Sequence, residues 1–296
     1  MAIRTALLVL LAGVAVVFII GWARTRSRGL VAAAAGSRPS LIQIAIGFVT
    51  NFFDTLGIGS FATTTTAYKL LRVVADERLV GTMLVGHSLP VVTQAFIFLV
   101  AVQVDPVVLA ALIGVSILGS WIGAGVASTL PRRPIQVGMG AGLIAAASFM
   151  SLSQLGLFPA VGTALTLTSW KLTIALVANF ILGALLMLGI GNYAPSLMLF
   201  SVLGMDPRAA FPIMMSSGAM MAMAGGFRFM KAGRFDTRAA LGLTLGGIPA
   251  VLIAGLLVQS LPLDVLRWVV VFVVIYAATM MLRSAFAAST LRDRRR

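Results

Sequence analysis

Apolar runs of about 18 residues or more recur from one end of this chain to the other, and that recurrence decides what it can fold into. About 20 apolar residues in a helix match the thickness of a bilayer's hydrocarbon core. In lipid only helices and closed barrels satisfy every backbone group. The alternation of a barrel strand is absent, so the expectation is an all-α polytopic membrane protein. Unbroken spans fall at 6–23, 79–103, 107–130, 135–155, 210–230, 238–258 and 264–283. A mean hydropathy of +1.06, with only 10% charged residues, leaves no room for a large soluble domain.

Two further stretches, 41–71 and 172–203, are longer than one crossing needs, and Gly-x-Gly interrupts each near its middle. As one straight helix, such a stretch would be roughly 46 Å long against a core of roughly 30 Å. As two arms of about 13 residues, each would reach about 20 Å, just past the midplane. Charge favours re-entrant hairpins. With both stretches as hairpins, only Arg4, Lys171, Arg208 and Arg267 of the 22 Lys and Arg residues lie outside. Full crossings would move Lys69, Arg72, Arg78, Arg132 and Arg133 outside and bring only Lys171 inside, against the positive-inside tendency.

The two breaks resemble each other. Leu56-Gly57-Ile58-Gly59-Ser60-Phe61-Ala62 and Leu188-Gly189-Ile190-Gly191-Asn192-Tyr193-Ala194 differ only by Ser/Asn and Phe/Tyr. Asp76-x-Arg78 and Asp206-x-Arg208 follow at similar distances. Each hairpin precedes three full spans, an odd number, so the second copy enters the membrane upside down. The expected architecture is an inverted repeat, each copy a broken helical hairpin plus three transmembrane helices, with one extra N-terminal helix. Such repeats bring broken helices together near the midplane, where transporters bind their cargo. The divisions are residues 1–38 (first helix and basic loop), 39–157 (first copy), 158–285 (second copy) and 286–296 (basic tail). Arg24, Arg26 and Arg28 follow the first apolar run rather than precede it, which marks a retained helix with its N-terminus outside.

At each break, glycine permits the backbone to turn. Ser60 and Asn192 are favoured N-caps for the second arms, and Pro195 suits a first helical turn. Both second arms then start near the midplane with unpaired N–H groups and positive dipole ends, an anion site that needs no lysine. Thr63, Thr64, Tyr193 and Ser196 offer hydroxyls nearby. Asn51 and Asp54 share one helical face. A carboxylate at that depth is costly, so Asp54 either carries a coupling proton or holds the turn through backbone N–H groups. His87, in the next span and opposite Ser217 in the repeat, is a cargo contact, a proton carrier or a packed histidine. Gln94 and Ser216 are weaker candidates. The site set is therefore Asn51, Asp54, Gly57, Gly59, Ser60, Thr63, Thr64, His87, Gly189, Gly191, Asn192, Tyr193, Ser196 and Ser217.

The chain has no cysteine and a single histidine, which excludes disulfides, thiolate sites and multi-histidine metal sites. No cofactor or metal is expected. The net charge of +14 fits membrane orientation better than nucleic-acid binding, and the RDRRR tail fits anionic lipid. Met214, Met215, Met220, Met221 and Met223 serve as core filler or face lipid. Gly119, Gly123, Gly138 and Gly142 have a spacing that suits close helix packing. Gly59-Ser60 with His87 faintly suggests an intramembrane serine protease, but Phe61 stands where that chemistry wants glycine, so no enzyme is expected.

Asn51–Arg72 and Gly183–Met205 resemble the two signature segments of the TauE/SafE family of sulfite-exporter-like permeases. The likeness runs over about residues 40–285. It implies a secondary transporter in the bacterial cytoplasmic (inner) membrane, C-terminus cytoplasmic, exporting sulfite or an organosulfonate by alternating access. It also implies that the polar residues around both breaks line the cargo site. The expected partners are a small anion, lipid, a coupling proton and a second copy in a homo-oligomer. An anion channel and a cation-coupled transporter of another small anion are the alternatives.

Overall fold

The structure is a computed structural model that describes residues 2–27, 38–126, 162–187 and 190–293, together with parts of 137–157. Ten helices carry the account: α1 (Ala2–Ser27), α2 (Leu41–Thr55), α3 (Ser60–Leu70), α4 (Asp76–Ala101), α5 (Pro106–Val126), α6 (Ser169–Leu186), α7 (Tyr193–Val202), α8 (Pro207–Lys231), α9 (Thr237–Ser260) and α10 (Leu263–Asp293). Described residues between 137 and 154 are helical too. Among the described residues, the β-structure is a single isolated bridge, Ala164 to Met205.

Among the described residues, five helices are long and apolar enough to cross a bilayer: Arg4–Thr25, Asp76–Ala101, Ser169–Leu186, Pro207–Lys231 and Thr237–Ser260. Large apolar side chains such as Val17, Val49, Ile181 and Leu256 lie on the outside. A soluble chain would not tolerate a surface of this kind; in a multi-pass membrane protein it meets lipid.

Both long stretches break where the glycines fall. In the first, α2 ends at Thr55 and α3 starts at Ser60. Gly57 (φ +98°) and Gly59 (φ +86°) make the turn in a region that residues with a Cβ avoid. In the second, α6 ends at Leu186 and α7 starts at Tyr193. Leu188 and Gly189 lie outside the described residues, as do Gly138 and Gly142.

The arms are not equal. α2 has 15 residues and α3 has 11, close to the expected 13, but α6 has 18 and α7 has 10. At about 27 Å, α6 is nearly a full crossing by itself. The cause lies at the starts. Pro39 and a capping box stop α2 at Leu41: the Ser40 hydroxyl accepts from Gln43 N, and Gln43 Oε1 accepts from Ser40 N. No such stop precedes α6, which runs one turn further back to Ser169.

The core is a seam between α4 and α8; α8 is enclosed along nearly its whole length and α4 over most of it. Met214, Met215, Met220, Met221 and Met223 of α8 are all buried, so they fill the core rather than face lipid. α2 packs on α9, and α6 packs on α5. Glycine makes both approaches close. A Cβ on Gly246 would strike the Ile44 carbonyl, and one on Gly119 would strike the Phe180 carbonyl. α1 leans on α8 through Phe18, whose ring meets Phe227 edge-on at 5.2 Å.

Gly246→Leu should therefore separate α2 from α9 and cost about 1–3 kcal/mol, the range for an overfilled interface. Gly13→Leu, at a position with open space around it, should leave the melting temperature of the purified protein nearly unchanged. Thermal unfolding in detergent measures both, and equal losses would contradict this packing.

Candidate functional site

The two breaks meet. A Cβ built on Gly59 lies 4.0 Å from the Cβ of Tyr193, and one built on Gly191 lies 3.8 Å from the Cβ of Phe61. Residues from both breaks and from the α4–α8 seam enclose one cavity. Its lining includes Asp54, Gly59, Ser60, His87, Asn192 and Tyr193, with Gly218 of α8 behind them. The volume is about 20 Å³, room for one water-sized guest.

Both helix starts point at this space. The first N–H groups of a helix have no partner in their own helix, and the N-terminus carries a positive partial charge. The expected serine cap is not what closes α3. Gly59 is the N-cap residue, Ser60 is already helical, and no cap hydrogen bond comes from the cap side chain. The Ser60 N–H instead donates to Asp54 Oδ1, six residues back across the turn. The physical reason is reach: the two positive-φ glycines fold α2 back so that its last polar side chain overlies the start of α3. Asn192 does occupy the N-cap position of α7, but its backbone is helical and its side chain caps nothing.

Asp54 belongs to a chain of contacts. Its Oδ2 accepts from Gln94 Nε2 at 2.9 Å, which also lies 2.9 Å from Thr55 Oγ1. Gln94 Oε1 accepts from the Tyr193 hydroxyl at 3.2 Å. One side chain of α4 thus ties the first break to the second. Sequence reasoning undervalued Gln94 because its role exists only once the two breaks face each other. It missed Gly218 altogether. Any side chain there would run into the Tyr193 ring, which packs directly over that position.

His87 sits in a second set of contacts. Asn51 Nδ2 donates to the Gly47 carbonyl at 2.7 Å, which turns Asn51 Oδ1 toward His87 Nδ1 at 3.0 Å. Nδ1 therefore carries a hydrogen, and Nε2 lies 3.0 Å from Thr64 Oγ1. Thr63 is turned back on its own helix, donating to the Ser60 carbonyl at 2.9 Å, and does not line the cavity. Gly57 forms the turn and packs near Leu197 rather than facing the cavity.

The far side is different in kind. Asn192 Nδ2, Ser196 Oγ, Ser216 Oγ and Ser217 Oγ are buried and have no hydrogen-bond partner among the described residues. A buried donor without a partner costs about 1–3 kcal/mol. Of the four, Asn192 lines the cavity itself, while Ser196, Ser216 and Ser217 lie on the same two helices α7 and α8 that supply Asn192, Tyr193 and Gly218 to its lining. No Lys or Arg lines the cavity.

A second crevice of about 210 Å³ opens where α4 ends and α8 begins, and Arg208 and Gln259 give it a polar edge. Phe98 and Phe211 form its floor, stacked at 4.9 Å on the same seam that holds the cavity.

Residues 171–296 match the family model of the sulfite exporter TauE/SafE. The matched segment contains nearly all of α6, the second break and everything after it, and it is shorter than the stretch of about 40–285 over which the resemblance was expected. Comparison with curated proteins and with solved structures finds no match.

Gln94→Leu should leave Asp54, Thr55 and Tyr193 each short of a partner and lower stability by about 1–3 kcal/mol. Thr93→Ala, which loses only a bond to the Leu89 carbonyl of its own helix, should be nearly neutral. Thermal melts of the two variants distinguish them.

Proposed function

With residues 171–296 matching a sulfite-exporter family, we propose that this chain is a secondary transporter that carries a small sulfur oxyanion out of the cell by alternating access. The observation that carries the reading is the meeting of two helix N-termini at one buried cavity, with the unpaired Asn192 amide on its wall and no Lys or Arg among its described lining residues. An oxyanion offers several acceptor oxygens and takes its stabilisation from N–H and O–H groups and from the two dipole ends.

Several observations support an inverted repeat beneath that site. The contact of Gly59 with Tyr193 and that of Phe61 with Gly191 exchange equivalent positions of the two breaks, as a two-fold axis requires. The pairing of α2 with α9 is matched by that of α6 with α5. Such halves rock against each other around a central site. A cavity of about 20 Å³ is too small for an anion of four heavy atoms, so cargo enters only when the helix ends part. A cavity this narrow favours a carrier over a standing pore. The crevice at Arg208 gives the seam a mouth on one face, two helical turns from the cavity. In the orientation that charge favours, with the C-terminus in the cytoplasm of a bacterial inner membrane, that mouth opens outward. A membrane potential negative inside then drives net negative charge outward, by about 2.3 kcal/mol per charge per 100 mV.

Proteoliposomes loaded with sulfite should release it through the purified protein. Asn192→Leu, which removes a donor from the cavity wall, and Asn192→Asp, which puts a like charge there, should each slow release by about tenfold or more. No flux by the unaltered chain, or undiminished flux by both variants, contradicts the reading.

A further inference from the structure

The proposed cargo site already contains an anion. Asp54 lines the cavity and is the one carboxylate that does so. Its Oδ1 takes the Ser60 N–H, a first-turn donor of α3, and its Oδ2 takes Gln94. The α7 half receives no such carboxylate: the Asn192 Nδ2 and the Ser196 hydroxyl have no protein partner among the described residues although both residues are almost wholly buried. Two helix starts that the repeat makes equivalent are therefore treated unequally. One is filled by a side chain and the other is left open.

We propose that Asp54 is a tethered stand-in for the cargo, and that a proton must neutralise it before an anion can take the α3 half of the site. This rests on the transporter reading above and supplies its coupling ion. In the empty site the ionised carboxylate is an acceptor only, and it holds the Ser60 and Gln94 donors. An incoming anion next to it would face a like charge at contact distance in a water-poor cavity. A proton from the aqueous side converts the carboxylate to a neutral carboxyl group. The repulsion vanishes, and the carboxyl group can turn from Ser60 and donate its O–H to the guest. The anion then bonds to the α3 N–H groups and to the waiting donors of α7 and α8. On the far side the anion leaves, the proton leaves, and the carboxylate returns to Ser60. One anion and one proton move in the same direction. For a monoanion the traffic is electroneutral and the membrane potential does no work on it, so its own gradient drives the movement; for a dianion one negative charge moves with the pair, and the outward drive of the potential acts on that charge alone.

The titratable groups facing Asp54 are Tyr193, which reaches it through Gln94, and His87 on α4. Both ring nitrogens of His87 are engaged, by Asn51 and Thr64. The charged residues of the helices packed around α2 sit at helix ends, away from the cavity: Lys69 on α3, Asp76, Glu77 and Arg78 on α4, and Arg238 on α9.

Isothermal titration of the purified full chain with methanesulfonate tests this, because that probe stays a monoanion across the range. Between about pH 8 and about pH 5.5 binding should tighten by about tenfold or more, one linked proton giving up to about tenfold per pH unit. Titrations in buffers of different ionisation enthalpy should show close to one proton taken up per anion. Asp54→Asn keeps an oxygen that can accept from Ser60 but carries no charge. It should bind at least as tightly as the unaltered chain does in acid, with no pH dependence. Binding by the unaltered chain that is flat with pH and takes up no proton overturns the inference and leaves the anion site standing. So does pH dependence that survives Asp54→Asn and disappears in His87→Gln. Absence of binding in both the unaltered chain and Asp54→Asn at every pH removes the anion site itself, and the inference with it.

Discussion

A backbone that stops being helical inside a bilayer must find partners for its N–H groups without water, and the rest of this structure is arranged around that demand. Two chain breaks face each other, and each shields the other's exposed helix start. On one side the demand is met internally, by the Asp54 carboxylate on Ser60. On the other no side chain caps the helix start, and four buried side-chain donors of α7 and its neighbour α8 have no partner among the described residues. The close helix approaches, the enclosed α4–α8 seam and the methionine filling of α8 keep this polar centre away from lipid.

The same centre explains why the site is a weak point by design rather than a rigid core. Gln94 bridges the two breaks through single hydrogen bonds to Asp54 and Tyr193. Each such bond has a modest net value, about 0.5–1.5 kcal/mol, so breaking the bridge to part the helix ends is affordable on the scale of cargo binding. The glycine-lined pairs α2–α9 and α6–α5 have no such softness, because carbonyls stand where side chains would go. Motion is therefore expected between these pairs rather than within them.

Much of this was legible in the sequence. The hydrophobic runs placed most helix ends to within a few residues, although the last helix continues to Asp293, well past the expected 283. The Gly-x-Gly motifs placed both breaks, and in the first the glycines take the positive φ that other residues resist. The 18-residue length of α6 was not legible from the repeat, since it depends on the absence of a capping box that the first copy has. The cap of α3 was assigned to Ser60 by local preference, whereas tertiary folding brought Asp54 over the helix start. Gln94 and Gly218 carried no local signal at all. Their roles depend on which helix lies opposite, and that information is not held in any one segment.

The central claim is that the two breaks touch. The chain has no cysteine, so a pair can be introduced without background. With Phe61→Cys and Gly191→Cys the two Cβ atoms would lie 3.8 Å apart, within the range of about 3.5–4.5 Å that a disulfide spans. Mild oxidation in native membranes, followed by cleavage at a protease site introduced between the two positions, should give fragments that stay joined until reduced. Fragments that separate without reduction, in protein that is otherwise folded, would contradict the facing helix starts on which the account rests.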